Sequence, residues 1–306
     1  MNLVKKVSRR LQPWRFRRRH DLWRLLMRLP PMTLTRNTRH GRMSFSTGDH
    51  VVGEHLFLFG HAEYELVERA LAQVRRYGGA GSRPYLIDIG ANIGTICIPL
   101  LLHEGFQRGL AIEPAPENVH YLRKNAAQNG LAERLTVIPM GLSAEKSTLR
   151  LELDPTNPGD HRIRMGTTAA PELHSESKRT VIEVAVDTLD HILAENGVAA
   201  EDIAAIFMDV QGHEGYVLQG AQHTLAAGMP LVMEFWPYGL RRAGTDPQML
   251  ATLLQPYYTH LVDLRAEAAG LQPLSYLNTI MNGLKDDQFT DVILFRNPTT
   301  TLRGEA

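Results

Sequence analysis

Two acidic residues stand at the ends of short apolar runs, and a glycine-rich turn follows the first of them. Asp88 lies in the run YLIDIGANIG, and Glu113 ends the run LAIE. Gly90 allows a tight turn that brings the backbone close to a ligand, and Gly94 opens a helix whose first amides can face an anion. A carboxylate at the end of the next strand can accept hydrogen bonds from both hydroxyls of a ribose. The pattern predicts a site for a nucleoside-bearing cofactor.

Two cofactor classes fit this geometry, and the residues distinguish between them. A dinucleotide fingerprint needs further glycines at positions that here hold Asn92 and Thr95. A carboxylate at Asp88 would repel a pyrophosphate, whereas it suits the ammonium group of an amino acid. The sequence therefore favours S-adenosylmethionine over a dinucleotide. A purely structural strand–helix turn is the other interpretation, and it leaves the two acids unexplained.

A second group of polar residues marks the ends of two later apolar runs. Asp209, His213 and Glu214 follow the run AAIFM, and Glu234 lies in the run LVMEF. Ligands of open parallel sheets bind outside the carboxyl ends of the strands. These side chains are therefore the candidates for chemistry on an acceptor molecule.

His213 is the predicted general base, because an unperturbed imidazole titrates near neutrality. The alternative is a histidine that only starts a helix. Asp209 binds the cofactor's ammonium, orients His213 or caps the following helix, while Glu214 and Glu234 are candidate acceptor ligands or a second base. Asp209, His213 and Glu214 could gather around a metal ion, but the sequence shows no further matched ligand, and we expect no metal.

The elements that position these residues alternate short apolar runs with helical patterns, which is typical of a parallel sheet with crossover helices. The predicted strands are Tyr85–Ile89, Gly109–Ile112, Leu135–Pro139, Ala204–Asp209, Leu231–Phe235, His260–Leu264 and Asp291–Phe295. The predicted helices begin near Gly94 or span Pro116–Asn129, Gly215–Ala227 and Asp246–Leu254. We therefore expect an α/β, Rossmann-like fold with a mostly parallel seven-stranded sheet flanked by helices. The stretch Arg265–Thr290 shows no pattern and is expected to be irregular.

An added pair of strands interrupts this alternation. The runs Ser147–Leu153 and Thr180–Val186 are joined by a long loop, residues 154–178. The loop carries His161 and His174, which could form a lid over an acceptor. Solvated loop histidines without a role are the commoner case.

A basic arm precedes these elements. Residues 1–42 contain thirteen Lys and Arg residues and one acid, Asp21, although the whole chain has a formal net charge of zero. Arginines interrupt the apolar stretch Leu22–Leu29, which argues against a signal peptide, and no apolar run is long enough to predict a membrane span. The arm could dock on the acidic remainder of the chain, lie on an anionic membrane or touch nucleic acid. We favour the first two over nucleic acid.

The chain divides into three predicted parts, a basic arm over 1–49, an extension over 50–84 and a main domain over 85–306. The extension contains an extended segment, Val51–Phe59, and an amphipathic helix, Ala62–Arg76. A loop rich in turn-forming residues follows it and marks the boundary of the main domain.

Cys97 is the only cysteine, so an intrachain disulfide or a cysteine-based zinc site is excluded. A buried apolar role fits its neighbours, and a free thiol fits a reducing compartment. We expect a cytoplasmic protein, peripheral to the inner face of the membrane if the arm binds lipid.

Five local patterns occur in the order found in a known family. They are DIGANIG from Asp88, IEP from Ile112, GLS from Gly141, VDTLD from Val186, and FMDVQGHE from Phe207 with VLQGA from Val217. Over roughly residues 85–240 the chain resembles the FkbM family of S-adenosylmethionine-dependent methyltransferases. The resemblance implies a class I methyltransferase fold and the following cofactor contacts: Asp88, Gly90, Ala91, Asn92 and Gly94 at the methionine end, Glu113 on the ribose, and Ser143 near the adenine.

The acceptor class is also implied by the resemblance, which points to O-methylation of a sugar hydroxyl on a glycan, glycolipid or glycosylated natural product. A methyltransferase for a non-sugar small molecule would keep the same cofactor site. A non-catalytic module that binds membrane or nucleic acid is a third possibility, and it would have no need of Asp88 and Glu113. The sequence does not set the oligomeric state.

Overall fold

A computed structural model describes residues 14–78, 83–165, 172–174, 176–265 and 270–298. Within these residues the strands are β1 (Thr33–Thr38), β2 (Gly41–Ser46), β3 (Tyr85–Ile89), β4 (Arg108–Ile112), β5 (Leu135–Ile138), β6 (Gly141–Leu142), β7 (Ser147–Leu153), β8 (Arg162–Ile163), β9 (Thr180–Asp187), β10 (Ile203–Met208), β11 (Leu231–Phe235), β12 (His260–Asp263), β13 (Gln272–Pro273) and β14 (Thr290–Phe295). The helices are α1 (Trp14–Leu26), α2 (Val52–Leu58), α3 (Tyr64–Tyr77), α4 (Cys97–His103), α5 (Pro116–Gln128), α6 (Leu189–Glu195), α7 (Glu214–Gln219), α8 (Gln222–Ala226), α9 (Pro237–Ala243), α10 (Pro247–Leu254) and α11 (Leu277–Gly283).

The central sheet has the order β13-β12-β14-β11-β10-β3-β4-β5. Strands β5, β4, β3, β10 and β11 run parallel to one another, and β14 runs antiparallel to both of its neighbours. The predicted mostly parallel sheet of seven strands is confirmed, and the two-residue β13 extends it at one edge. Strand order reverses between β3 and β10, which is the topological switch point at which such sheets bind ligands.

Helices cover both faces of this sheet. Along β3, Ile87 and Ile89 point into one buried cluster, whereas Leu86 points into the other. Strands buried on both faces are continuously apolar, as a parallel sheet requires. The sequence determines where helix α5 begins and ends. The helix begins at Pro116, and Asn129 and Gly130, which has a left-handed backbone conformation, follow its last residue.

A second, four-stranded sheet contains the predicted added pair and has the order β6-β9-β7-β8. The pair β7–β9 is antiparallel along its whole length. The short strand β8 lies at its edge and carries Arg162 and Ile163 toward the end of the central sheet where β3 and β10 meet.

The N-terminal segment belongs to the folded body from residue 14 onward. Trp23 of α1 is fully buried, with its ring centroid 5.1 Å from that of Phe57. His40, in the turn of the β1–β2 hairpin, is also fully buried; its Nδ1 bonds Thr95 O at 2.8 Å and its Nε2 accepts from Ala62 N at 3.0 Å. Of the interpretations of the basic arm, docking on the chain itself therefore holds for this part. Residues 1–13 lie outside the described residues.

The prediction of an extended segment over Val51–Phe59 is wrong, because this stretch forms helix α2. The Asp49 side chain accepts from Val51 N at 3.0 Å and starts the turn, and Leu56 and Leu58 bury against the hairpin side of the core. Gly53 also packs tightly, since a Cβ there would lie 2.8 Å from Ser46 O. Local apolar content suggested a strand, but tertiary packing selects the helix.

Two further predictions are corrected. The stretch Arg265–Thr290 is not irregular throughout, because α11 lies within it and buries Leu277 and Ile280. The three-residue spacing of these two apolar residues is a pattern that predicts a helix. The predicted helix Gly215–Ala227 is two helices, α7 and α8. Gly220 ends the first, where its backbone approaches Ser143 O so closely that a Cβ would lie 2.1 Å away. In the described part of the chain, no helix combines the length and apolar character needed to span a bilayer.

Candidate active site

The turn after β3 is shaped by a close approach to the end of β10. Gly90 has a φ of 82°, and a Cβ there would lie 1.8 Å from Asp209 O, so only glycine fits. Its amide and that of Ala91 both donate to Ile112 O on the neighbouring strand. Gly94, also left-handed, packs against Ile98 and leaves no room for a side chain. Gly94 therefore has a packing role, and the turn at Gly90 forms part of a cavity wall.

Asp88 faces away from this cavity. It is 1% exposed, and its Oδ2 accepts from Cys97 N at 3.1 Å, at the start of α4. Burial raises the pKa of Asp88 to about 6, and the Asp209 charge adds to the effect. The predicted direct contact with the cofactor's ammonium is therefore not what this geometry supports, since the carboxylate anchors the helix behind the turn.

Glu113, at the end of β4, is held by backbone amides. Its Oε2 accepts from Asn92 N and its Oε1 from Ala115 N, each at 2.9 Å. Burial raises the pKa of Glu113 to about 7, and these two hydrogen bonds oppose the rise. The carboxylate forms part of the wall of a first cavity of about 50 Å³. Its position at a strand end matches the sequence prediction.

The first cavity combines this acid with apolar walls. Ile112, Pro114, Met140 and Leu142 line it, and the segment from Pro158 to Ile163 covers it. The first cavity therefore places a hydrogen-bonding carboxylate beside apolar side chains. Ser143 follows directly on Leu142 but is 6% exposed and points behind the wall.

A second, larger cavity of about 340 Å³ lies beside the first. Its wall is acidic, and the described residues that line it include no lysine or arginine. The acids are Glu63, Asp160, Asp209, Glu234, Asp287 and Asp291. Five residues line both cavities and mark where they meet: Gly90, Asn92, Gly159, Asp209 and Gln211. The two cavities are therefore contiguous at the ends of β3 and β10.

Asp209 and Glu234 form a carboxylate pair at this junction. The Gln211 Nε2 donates to Asp209 Oδ1 at 2.6 Å and to Glu234 Oε2 at 2.8 Å. Burial raises the pKa of both acids, and the charge of Asp209 raises that of Glu234 further. Glu234 also lies directly opposite Asp291 on the antiparallel neighbour β14. Two close acids with raised pKa values can share a proton between them.

His213 lies on the side of the first cavity. It is 2% exposed, its ring stacks on Tyr216 with centroids 4.7 Å apart, and its Nε2 bonds Ser143 Oγ at 3.2 Å. Burial lowers the pKa of His213 to about 4. It does not line the second cavity. The prediction of His213 as the base for an acceptor is therefore not supported by this placement, which pairs it with Ser143 instead.

Glu214 lies close to Asp209 and Glu234, with which it forms a group of three acids. One carboxylate oxygen from each of the three acids lies within 4.8 Å of the other two. The sequence groups Asp209 and Glu214 with His213 and indicates no further matched ligand. Glu234, at the end of the adjacent strand, completes the group instead.

The loop over the cavities contains a buried charge network that the sequence did not reveal. Arg162 binds both oxygens of Asp160 at 2.6 Å and Glu176 at 3.2 Å. Arg179 bonds Asp160 at 2.5 Å, and Tyr238 donates to Glu176 at 2.7 Å. The alternation of acids and arginines in the loop sequence is the pattern that could have predicted this network. The network joins Asp160 and Arg162, which line the cavities, to Glu176 and Arg179.

The two loop histidines line the cavities. His161 lines the first, and its Nδ1 accepts from Asp154 N at 3.0 Å. His174 lines the second and packs edge-on against Trp236, with ring centroids 5.3 Å apart. His161 is half-buried and His174 is exposed, so the choice between a covering role and that of a solvated loop residue stays a prediction for both.

Known proteins resemble this chain most clearly in sequence. The model for the methyltransferase FkbM domain matches residues 88–257. The chain is 28% identical over 198 residues to methyltransferase sdnD of Sordaria araneosa, a match that covers 56% of this chain and 72% of that protein. It is 26% identical over 157 residues to the MTRF1L release factor glutamine methyltransferase of Homo sapiens, covering 48% of this chain and 46%, about half, of that protein.

Likeness to solved structures is lower. Precorrin-6y C5,15-methyltransferase from Geobacter metallireducens GS-15 superposes with a TM-score of 0.40 at 11% identity, covering 81% of this chain and 98% of that one. A likeness of this size has no bearing on cofactor or acceptor.

Proposed function

Because the chain belongs to the FkbM methyltransferase family, we propose that it transfers a methyl group from S-adenosylmethionine to a hydroxyl oxygen of a sugar. The observation that carries the proposal is the contact between two cavities at the strand ends, one with a slot beside Glu113 and one wide and acidic. Transfer needs two reactants side by side in a fixed line, and this arrangement provides adjoining sites for them.

The first cavity is the proposed binding site for the nucleoside end of the cofactor. Glu113 is the acid at the end of β4 and would accept hydrogen bonds from the ribose, while the apolar walls would hold the adenine. At the junction, Asn92 Oδ1 is buried and no donor among the described residues reaches it. A buried acceptor without a partner is costly, and the ammonium of the methionine part would satisfy it. The bound cofactor supplies an activated methyl group, so the protein's work is alignment.

The acceptor's proton requires a base at the junction. Asp209 and Glu234 face the second cavity, whereas His213 does not. We therefore transfer the role proposed for His213 to this carboxylate pair. Proton removal by a positioned group contributes about 10²–10⁴-fold to a rate.

The second cavity is the proposed binding site for a polyhydroxylated acceptor. Its carboxylates accept hydrogen bonds from hydroxyl groups, and Trp236 and Phe289 add aromatic surface. Among the described residues this wall has acids but no lysine or arginine, which favours neutral or amino sugars and disfavours phosphorylated or uronic ones. A non-sugar small molecule rich in hydroxyls would use the same contacts.

A product screen tests the proposal. The full chain is incubated with S-adenosylmethionine and a panel of neutral, amino and anionic glycosides, and products are examined by mass spectrometry for the gain of one methyl group. We expect methylation of a neutral or amino sugar oxygen, lost in Glu113→Ala. Methylation confined to nitrogen or to anionic acceptors would contradict the sugar-hydroxyl proposal, and a chain that binds no cofactor would support the non-catalytic module.

A second proposal concerns the N-terminal helix, for which we infer peripheral contact with an anionic membrane. Leu22 and Leu25 of α1 and Leu29, just after it, are 47%, 56% and 48% exposed beside exposed Arg24 and Arg28. Exposed apolar side chains flanked by arginines suit the interface of an anionic lipid surface. A cytoplasmic location at the inner face of the membrane is part of this proposal.

A further inference from the structure

Three carboxylates converge at the floor of the second cavity. Asp209 follows β10, Glu214 begins α7 and Glu234 lies on β11, and each contributes one oxygen to a group whose members lie within 4.8 Å of one another. Asp209 and Glu234 line the cavity. Glu214 is 1% exposed and Glu234 is 9% exposed.

Glu214 carries an unpartnered oxygen. Its Oε1 accepts from Val210 N at 3.3 Å and Gly212 N at 3.2 Å, but Oε2 is buried and no donor among the described residues reaches it. Buried carboxylate oxygens without a partner are rare, because such a group loses its hydration without replacement. An unsatisfied acid beside two other acids is the arrangement that a cation would complete.

The side chain of Gln211 can offer a further oxygen ligand to such a cation. It has a φ of 55°, and its side-chain amide bridges Asp209 and Glu234. Rotation of the amide by half a turn would present Oε1 in place of Nε2, which adds a neutral oxygen to the three carboxylates. An all-oxygen set of this kind suits hard divalent cations.

We propose that Asp209, Glu214 and Glu234 bind a divalent cation, Mg²⁺ or Mn²⁺, at the junction of the two cavities. The sequence-based expectation of no metal rested on a missing ligand, which Glu234 supplies. In a step that rests on the function proposed above, the cation would coordinate the acceptor hydroxyl and lower its pKa. The proton would leave to the second oxygen of Asp209 or Glu234, since each acid offers only one oxygen to the cation. The oxygen then forms its bond to the methyl carbon as the bond from that carbon to sulfur breaks.

Binding of Mn²⁺ to the full chain without cofactor or acceptor tests this site. Electron paramagnetic resonance and calorimetry should show one bound Mn²⁺ per chain, displaced by Mg²⁺. Glu214→Gln should weaken binding at least about tenfold, the lower end of what even outer-shell partners cost a metal site. Glu234→Gln should act in the same way, which covers the case that one variant fails to fold.

Asp287→Asn is the matched control, because Asp287 is an exposed acid of the same cavity outside the three-carboxylate group. It should change Mn²⁺ affinity less than twofold. Absence of Mn²⁺ binding, binding unaffected by the Glu214 and Glu234 variants, or an equal loss in Asp287→Asn would overturn the proposal. S-adenosylhomocysteine binding, measured on the same samples, separates failure of the metal site from failure of the proposed methyltransferase function.

Discussion

The Asp88 carboxylate and the backbone amide of Cys97 form a hydrogen bond of 3.1 Å that joins the end of β3 to the start of α4. Both residues are fully or almost fully buried. The bond fixes the turn from Gly90 to Gly94 from behind, so Asp88 shapes the cofactor site without lining it.

Asp88→Ala should therefore lower stability more than it lowers cofactor affinity. Loss of the acceptor leaves Cys97 N buried and unpaired, which costs about 1–3 kcal/mol of unfolding free energy. Asp88→Asn keeps an acceptor oxygen and should cost less. Urea denaturation and S-adenosylhomocysteine calorimetry measure the two effects. A large loss of affinity in Asp88→Asn at unchanged stability would show instead that the charge contacts the ligand.

The catalytic prediction separates Asp209 from His213. Asp209→Asn should lower the rate of methyl transfer by about 10²–10⁴-fold, because it removes the proton-accepting group at the junction. His213→Gln should instead raise the KM for the cofactor several-fold with little change in kcat, since its ring lines the first cavity. Steady-state kinetics with an acceptor from the product screen measures both. A kcat loss in His213→Gln as large as that in Asp209→Asn would restore the histidine as the base.

Much of the fold followed from the sequence because local patterns determine it. All seven predicted strands of the central sheet occur, since buried parallel strands are continuous apolar runs with turn residues between them. Helix α2 did not follow, because its burial depends on the distant hairpin. Glu113 was placed correctly by its motif, whereas Glu234 was not joined to Glu214, because pairing of β10 with β11 is a tertiary property.

His40 provides a test of how the N-terminal hairpin is attached. Burial lowers the pKa of His40 to about 4. Protonation of Nε2 would also break the bond that it accepts from Ala62 N. A histidine whose pKa is lowered on folding contributes stability that is present above its unfolded pKa, about 6.5, and is lost as the pH falls toward 4.

Between pH 7 and pH 5, the unfolding free energy of His40→Gln should therefore fall by about 1–2 kcal/mol less than that of the wild type. Denaturant unfolding at each pH measures this difference. His120→Gln, at an exposed histidine on α5, controls for the substitution. Parallel pH profiles for His40→Gln and wild type would show that the ring is not held in the neutral form.

Membrane contact through the N-terminal helix predicts binding to anionic vesicles that weakens steeply with salt. Replacement of Leu22, Leu25 and Leu29 by serine should reduce vesicle binding at least about tenfold, because each buried leucine contributes roughly 1.5–3 kcal/mol. Leu173→Ser, at a leucine that is 49% exposed in the loop, is the control. Sedimentation with vesicles measures binding; equal binding by the triple variant and the wild type would refute the membrane contact.

Binding of the cofactor in the cavity beside Glu113 is tested most directly by calorimetric titration of S-adenosylhomocysteine into wild type and Glu113→Ala. The wild type should bind one molecule per chain, and Glu113→Ala should bind at least about tenfold more weakly, the loss expected when a charged hydrogen-bonding partner of roughly 1.5–3 kcal/mol is removed. Equal affinity in a folded Glu113→Ala protein, or no binding by the wild type, would contradict the account.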